Sequence, residues 1–224
     1  KPKNAIKTHR SLERWLKDRL SVLKPRSYEL GFYLKFDGIS LVFALDNGRL
    51  ISAITRGNAD TGEGKDVTHN FNGVTFGWSW APGVGVPNKI GVKTEVVMTQ
   101  KDFEKYSKKY KSESRKLEDP RSAASGLVNA DDLPRELLKY LTIVELEYYH
   151  NGIFTFPDEY LGEKKVIKIR IDKNFDIEMI RKIIDKMKKE IDGYGINCDG
   201  VVVRFTEKDA IDTLGRDTEK SINK

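Results

Sequence analysis

Cysteine is all but missing from this sequence. Cys198 is the only one in 224 residues, so no disulfide can close within the chain, and a small secreted scaffold held by disulfides is excluded. A cytosolic, that is cytoplasmic, setting is the expectation. Histidine is almost as scarce. His9, His69 and His150 are too scattered to form a zinc signature. No run of about 18 apolar residues occurs, so no segment reads as membrane-spanning and no membrane partner is expected. The basic start, KPKNAIKTHR, has no apolar stretch behind it and does not read as a secretion signal. Internal repeats and low-complexity tracts are absent too.

What remains is the composition of a folded domain. Apolar residues make up 38%, enough for a core, while charged residues at 33% require a highly polar surface. The net charge of +6 permits a polyanionic partner without demanding one. The length fits one large domain over residues 1–224. The chain starts at Lys1 without methionine and stops at SINK, so it reads as a fragment, a processed product or one piece of a split protein.

Periodicity outlines the elements. Leu12, Leu16, Leu20 and Leu23, widened by Trp15 as a core residue, predict an amphipathic helix over 11–23, with Ser11 as N-cap and Pro25 as stop. In Tyr28 to Lys35, Leu30, Phe32 and Leu34 point one way and Glu29, Tyr33 and Lys35 the other, as in a strand. A strand from Ile39 to Leu45, the turn Asp46-Asn47-Gly48 and a strand from Arg49 to Thr55 predict a hairpin. Residues 56–70 are polar and glycine-rich and read as a loop. The next stretch holds Trp78 and Trp80, read as loop anchors in preference to base-stacking platforms. Further strands are expected at Ile90 to Val97, Leu141 to Tyr149 and Val201 to Phe205. Further helices are expected from Gln100 to about Lys116 and, most strongly patterned, over 176–192.

Strand ends beside loops are where a rigid scaffold leaves room for chemistry. Four such places carry polar groups: Lys35 with Asp37, Arg56, Lys93 with Glu95, and Asp199 with Arg204. Arg121 sits in the compact stretch Asp119 to Gly126, read as a tight turn or the start of a short helix. A free lysine amine titrates near about 10.4 and is no nucleophile while protonated. Surrounding cations or a bound metal push that value down and free its lone pair. Arg56, Lys93, Arg121 and Arg204 could supply the cations, and could also grip phosphate oxygens. Glu95 and Asp199 could hold Mg²⁺, which prefers carboxylate and phosphate oxygen. Such a set suits nucleotidyl transfer, but spacing alone fits ordinary ion pairs at strand ends equally well.

The order of short motifs decides between these readings. Lys35-Phe36-Asp37-Gly38 resembles the nucleotide-accepting lysine motif of the adenylation (nucleotidyltransferase) domain of NAD-dependent DNA ligases. Thr55-Arg56-Gly57, Thr61-Gly62-Glu63 and Asp66-Val67-Thr68-His69-Asn70 resemble the most specific signature of that family. Lys93-Thr94-Glu95-Val96, Asp119-Pro120-Arg121-Ser122-Ala123-Ala124-Ser125-Gly126 and Asp199-Gly200-Val201-Val202-Val203-Arg204 are similar to three more of its segments. Order is preserved over most of residues 4–216. The resemblance implies that Lys35 attacks the α-phosphate of NAD to form lysyl-AMP, and that the AMP then activates a 5′-phosphate at a nick in double-stranded DNA. It assigns Arg56 and Arg121 to ribose or phosphate, Glu95 to ribose or metal, Asp199 to the Mg²⁺ ion and Arg204 to phosphate. Asp37 and Lys93 come with their motifs.

Three departures bear on this. Tyr33 stands where the family has an adenine-reading glutamate. Lys93 and Arg204 replace arginine and lysine. The family's nicotinamide-binding module, its OB-fold and its last lysine-bearing strand have no counterpart here, so a removed segment or separate chain is expected to carry them. An ATP-using DNA or RNA ligase, a related covalent nucleotidyltransferase and a non-catalytic nucleotide-binding module remain alternatives. The expected fold is α+β, with antiparallel sheets forming a nucleotide cleft, helices outside, and Lys35, Glu95, Asp199 and Arg204 facing inward.

Overall fold

In the computed structural model, residues 3–57, 63–74, 88–110, 118–158, 166–215 and 219–223 are described, the side chains from residue 11 onward. The leucine stripe forms one face of helix α1, Lys3–Val22, with Leu12 and Leu16 fully buried. The helix starts well before Ser11, which therefore lies inside it. No proline or glycine interrupts residues 3–10, so nothing there stops the backbone ladder. Thr61, Gly62, Trp78 and Trp80 lie outside the described residues.

The remaining elements follow in chain order. Strands β1 (Tyr28–Phe36), β2 (Ile39–Asp46), β3 (Arg49–Thr55) and β4 (Lys89–Val97) precede helices α2 (Gln100–Tyr110) and α3 (Pro120–Val128). Strands β5 (Thr142–His150), β6 (Ile153–Thr155) and β7 (Ile167–Ile171) come next, then α4 (Ile177–Glu190), β8 (Cys198–Phe205), α5 (Lys208–Leu214) and β9 (Glu219–Asn223). Three short 3₁₀ turns, Thr68–Phe71, Arg135–Tyr140 and Ile191–Tyr194, complete the described elements. The fold is α+β with antiparallel sheets, as the sequence predicts. No described helix is long and apolar enough to cross a membrane.

The chain divides into two compact units. The first comprises Lys1–Lys35, Glu163–Gly193 and Cys198–Lys224. Its sheet has the order β7-β1-β8-β9. Leu30, Phe32, Val201, Val203 and Phe205 are fully buried in it. Trp15 of α1 stacks on Phe205 at 5.7 Å, and α4 lies against β8 with Ile180, Ile184 and Met187 buried. On the opposite face of β1, Glu29 and Lys35 are partly open while Tyr33 is buried.

The second unit comprises Phe36–Gly162 and Tyr194–Asn197, with a sheet in the order β3-β2-β4-β5-β6. Asn47 and Gly48 both take positive φ, 48° and 75°, which gives the tight hairpin turn between β2 and β3. Leu41, Phe43, Ala53, Val67, Phe71, Val96 and Val128 form one core cluster of this unit. Phe43 and Phe71 meet edge to face at 5.1 Å. Asn70 is buried, and both ends of its side-chain amide are hydrogen-bonded. The nitrogen donates to the Val128 and Ala130 carbonyls at 3.1 and 2.7 Å, and the oxygen accepts from Leu133 N–H at 3.0 Å.

Candidate functional site

In the first unit, β1 and β8 lie side by side although their residues are far apart in sequence. Glu29 O accepts from Thr206 N–H at 3.3 Å and the Glu29 carboxylate from the Thr206 hydroxyl at 2.5 Å. At the other end of β1, Lys35 Nζ donates to Asp199 Oδ2 at 3.0 Å. Both side chains remain partly open, 32% and 44% exposed, so the amine is held yet accessible. The sequence reading surrounds Lys35 with cations; the partner seen here is a carboxylate. Arg204, on the same partly open face of β8 as Val202, forms an ion pair with Glu219 on β9, the residue opposite it in the ladder. Tyr33 is only 5% exposed, and its ring lies over Gly31, where no side chain competes for the space.

In the second unit the motif segments converge on Glu95. This residue lies on β4 directly opposite Ser40 on β2. Its Oε2 accepts from Ser40 Oγ at 2.5 Å and its Oε1 from Gly38 N–H at 3.2 Å. Burial pushes the Glu95 carboxyl above the ordinary range, with the Ser40 and Gly38 hydrogen bonds and Arg121 opposing that rise and Asp37 adding to it. The Asp37 carboxylate accepts from Arg121 Nη1 at 2.9 Å, and Asp37 N–H donates to Asn197 O at 2.9 Å. Arg121 is presented by the first turn of α3. Asp119 caps that helix by accepting from Ser122 N–H at 2.8 Å, and Pro120 occupies its first position. The tight-turn alternative for this stretch thus gives way to a true short helix. Arg56 follows β3 with its side chain exposed, and its backbone N–H donates to Ser40 O at 3.0 Å. Lys93 shares the Glu95 face of β4 and stands 3.9 Å from Glu147 on β5.

The loop signature serves the scaffold. The Asp66 carboxylate accepts from Thr68 N–H at 2.9 Å and from the Thr68 hydroxyl, and that hydroxyl in turn accepts from Ala53 N–H at 2.8 Å. Val67 is fully buried, and Asn70 ties the loop to the end of α3. These residues hold the β3 end, and with it Arg56, against the body of the unit. Sequence reasoning does not single out Ser40. A lone hydroxyl in the otherwise apolar run Ile39 to Leu45 is its only signal, because the β2–β4 register is invisible in a sequence.

Among the described residues no group of three or more His, Cys, Asp or Glu side chains is gathered to hold a metal ion. Mg²⁺ is usually bound by one or two carboxylates completed by phosphate oxygens and water. Asp199, 44% exposed, fits that pattern. Arginines and lysines on strand and helix ends, with a buried carboxyl between hydrogen-bond donors, suit an anionic nucleotide.

The two antiparallel sheets, with this lysine and these carboxylates on their strands, place the chain in the α+β nucleotidyltransferase class of folds. The match is more specific than a fold class: the NAD-dependent DNA ligase adenylation domain model fits residues 4–221, and the chain belongs to that family. Among curated proteins it is 32% identical over 201 residues to a DNA ligase of a Nitratiruptor species, covering 84% of this chain and 29% of that one. It is 28% identical over 179 residues to a DNA ligase of Buchnera aphidicola subsp. Baizongia pistaciae, covering 76% and 26%. The chain thus spans less than a third of the length of these relatives. A solved structure titled "Structure of Pnkp1/Rnl/Hen1 complex" aligns over 97% of this chain and 83% of its own with a TM-score of 0.37 at 11% identity, too slight a likeness to bear on function.

Proposed function

We propose that this chain is the AMP-accepting core of an NAD-dependent DNA ligase, with Lys35 as the nucleophile. The observation that carries this reading is the Lys35–Asp199 pair, 3.0 Å apart and open to ligand, within the family's lysine motif. Lys35 Nζ attacks the α-phosphorus of NAD, a P–N bond forms, and the P–O bond to nicotinamide mononucleotide breaks. The bonding electrons leave with the mononucleotide. The amine's proton is released to water, and Asp199, already in hydrogen-bond reach of the amine, orients it for attack. AMP then moves from Lys35 to the 5′-phosphate at a DNA nick, and the 3′-hydroxyl displaces it to seal the strand.

Within the second unit, Glu95 accepts a ribose hydroxyl, Arg121 and Arg56 bind ribose or phosphate, and Asp37 holds Arg121 in place through the 2.9 Å ion pair. Lys93 in that unit and Arg204 in the first balance phosphate charge. Tyr33 packs where adenine selection is expected. Asp199 is the side chain that would hold Mg²⁺, whose positive charge offsets the charge building on the phosphates. The substrate is nicked double-stranded DNA, the setting cytoplasmic.

Intact-mass measurement after incubating the complete protein, with the nicotinamide-binding segment in place, with Mg²⁺ and either NAD or ATP tests the proposal. One AMP is gained from NAD by the wild type and none by Lys35→Ala. A gain from ATP in preference to NAD overturns the donor, and an equal gain in Lys35→Ala overturns the nucleophile.

A further inference from the structure

We infer that Ser40 is a positioning residue for nucleotide transfer: its hydroxyl locks the Glu95 carboxylate while its carbonyl fixes the backbone of Arg56. The inference rests on the reading of Lys35 as the AMP acceptor. Three segments meet at this one residue. Across the β2–β4 ladder Ser40 faces Glu95 directly, and its Oγ is 2.5 Å from Oε2. The second carboxylate oxygen, Oε1, accepts from Gly38 N–H at 3.2 Å. Each oxygen therefore has its own donor, and the donors sit two residues apart on the same strand end. Held at both oxygens, the carboxylate can neither swing about its stem nor turn about its own axis without losing a charge-assisted bond. On the backbone side, Ser40 O accepts from Arg56 N–H at 3.0 Å, joining the end of β3 to the same point.

A serine hydroxyl has one proton to give. Here it is given to Glu95, which leaves the hydroxyl no proton to donate to a ligand. The role is therefore indirect: Ser40 aims the group that receives the ribose. Alanine fits the strand, and threonine both fits it and keeps the hydroxyl.

The test compares Ser40→Ala and Ser40→Thr with the wild type in single-turnover formation of lysyl-AMP from NAD, beside thermal denaturation. For Ser40→Ala, KM for NAD rises about tenfold with the saturated rate nearly kept, as loss of one hydrogen bond to a charged group in the bound state requires. Ser40→Thr restores most of the loss and melts with the wild type, while Ser40→Ala stays folded but melts somewhat lower, as loss of a donor to a buried carboxylate requires. An unchanged KM in Ser40→Ala, or a threonine variant as impaired as alanine, overturns the inference. Crystal structures of the two variants decide it independently of turnover. A Glu95 carboxylate displaced in Ser40→Ala and in place in Ser40→Thr supports the positioning role; one unmoved in Ser40→Ala contradicts it. Should the complete wild-type protein, with the nicotinamide-binding segment in place, form no adduct, the nucleotidyl-transfer reading fails, and these crystal structures still judge whether Ser40 orients Glu95.

Discussion

A side chain at position 38 would run into the Val96 carbonyl and lie 2.7 Å from Val97 Cγ1. Gly38 therefore lets the chain pass close enough to β4 for its N–H to reach Glu95. Gly38→Ala is expected to cost about 1–3 kcal/mol through overpacking, read as a lower denaturant midpoint, and to weaken adduct formation through the displaced N–H. A wild-type midpoint would show that the strands can part there without penalty. At this scale the sequence marks out Lys35, Asp37 and Gly38 only through the order of the motif segments that follow them, since their own string is short and weakly specific. It is silent about Ser40 and about the carboxylate beside Lys35. Both depend on which strands pair and in which register, and alternation along a single strand carries no such information.

Among elements, α3 shows how a helix start serves a site. Asp119 accepts from Ser122 N–H, which holds its carboxyl below the ordinary carboxylate range, and Arg121 in the same turn reaches Asp37. Asp119→Ala should destabilise the chain by about 1 kcal/mol at neutral pH. The sign with pH follows from the direction of the shift. The folded carboxyl titrates lower than the unfolded one, so its contribution is complete above the ordinary value of 3.8 and fades as acid carries the pH down through the folded value. Melting curves of wild type and variant are thus separated at neutral pH and approach one another below 3.8. A gap that widened in acid would contradict the capping account. Helices α1 and α4 are legible because leucine and isoleucine repeats state their buried faces outright. Strands β7 and β9 are not. Each is only five residues long, and each owes its existence to a neighbour, β1 or β8, that arrives from elsewhere in the chain.

For the whole molecule, the family resemblance implies an α+β fold with antiparallel sheets, and one hairpin, turning at Asp46-Asn47-Gly48, is legible on its own. The division into two units lies beyond the sequence. The first unit is assembled from three separate stretches, and its central pair, β1 and β8, joins residues 164 positions apart. Long-range pairing of this kind gives the lysine a specific neighbour, Asp199, and sequence spacing cannot disclose it. The claim on which all else depends is that Lys35 carries the nucleotide. Peptide mass mapping of the protein after reaction with NAD and Mg²⁺ addresses it most directly. The AMP adduct is expected on the peptide containing Lys35 and on no other; AMP found on Lys93 or another lysine, with the Lys35 peptide unmodified, would contradict the account.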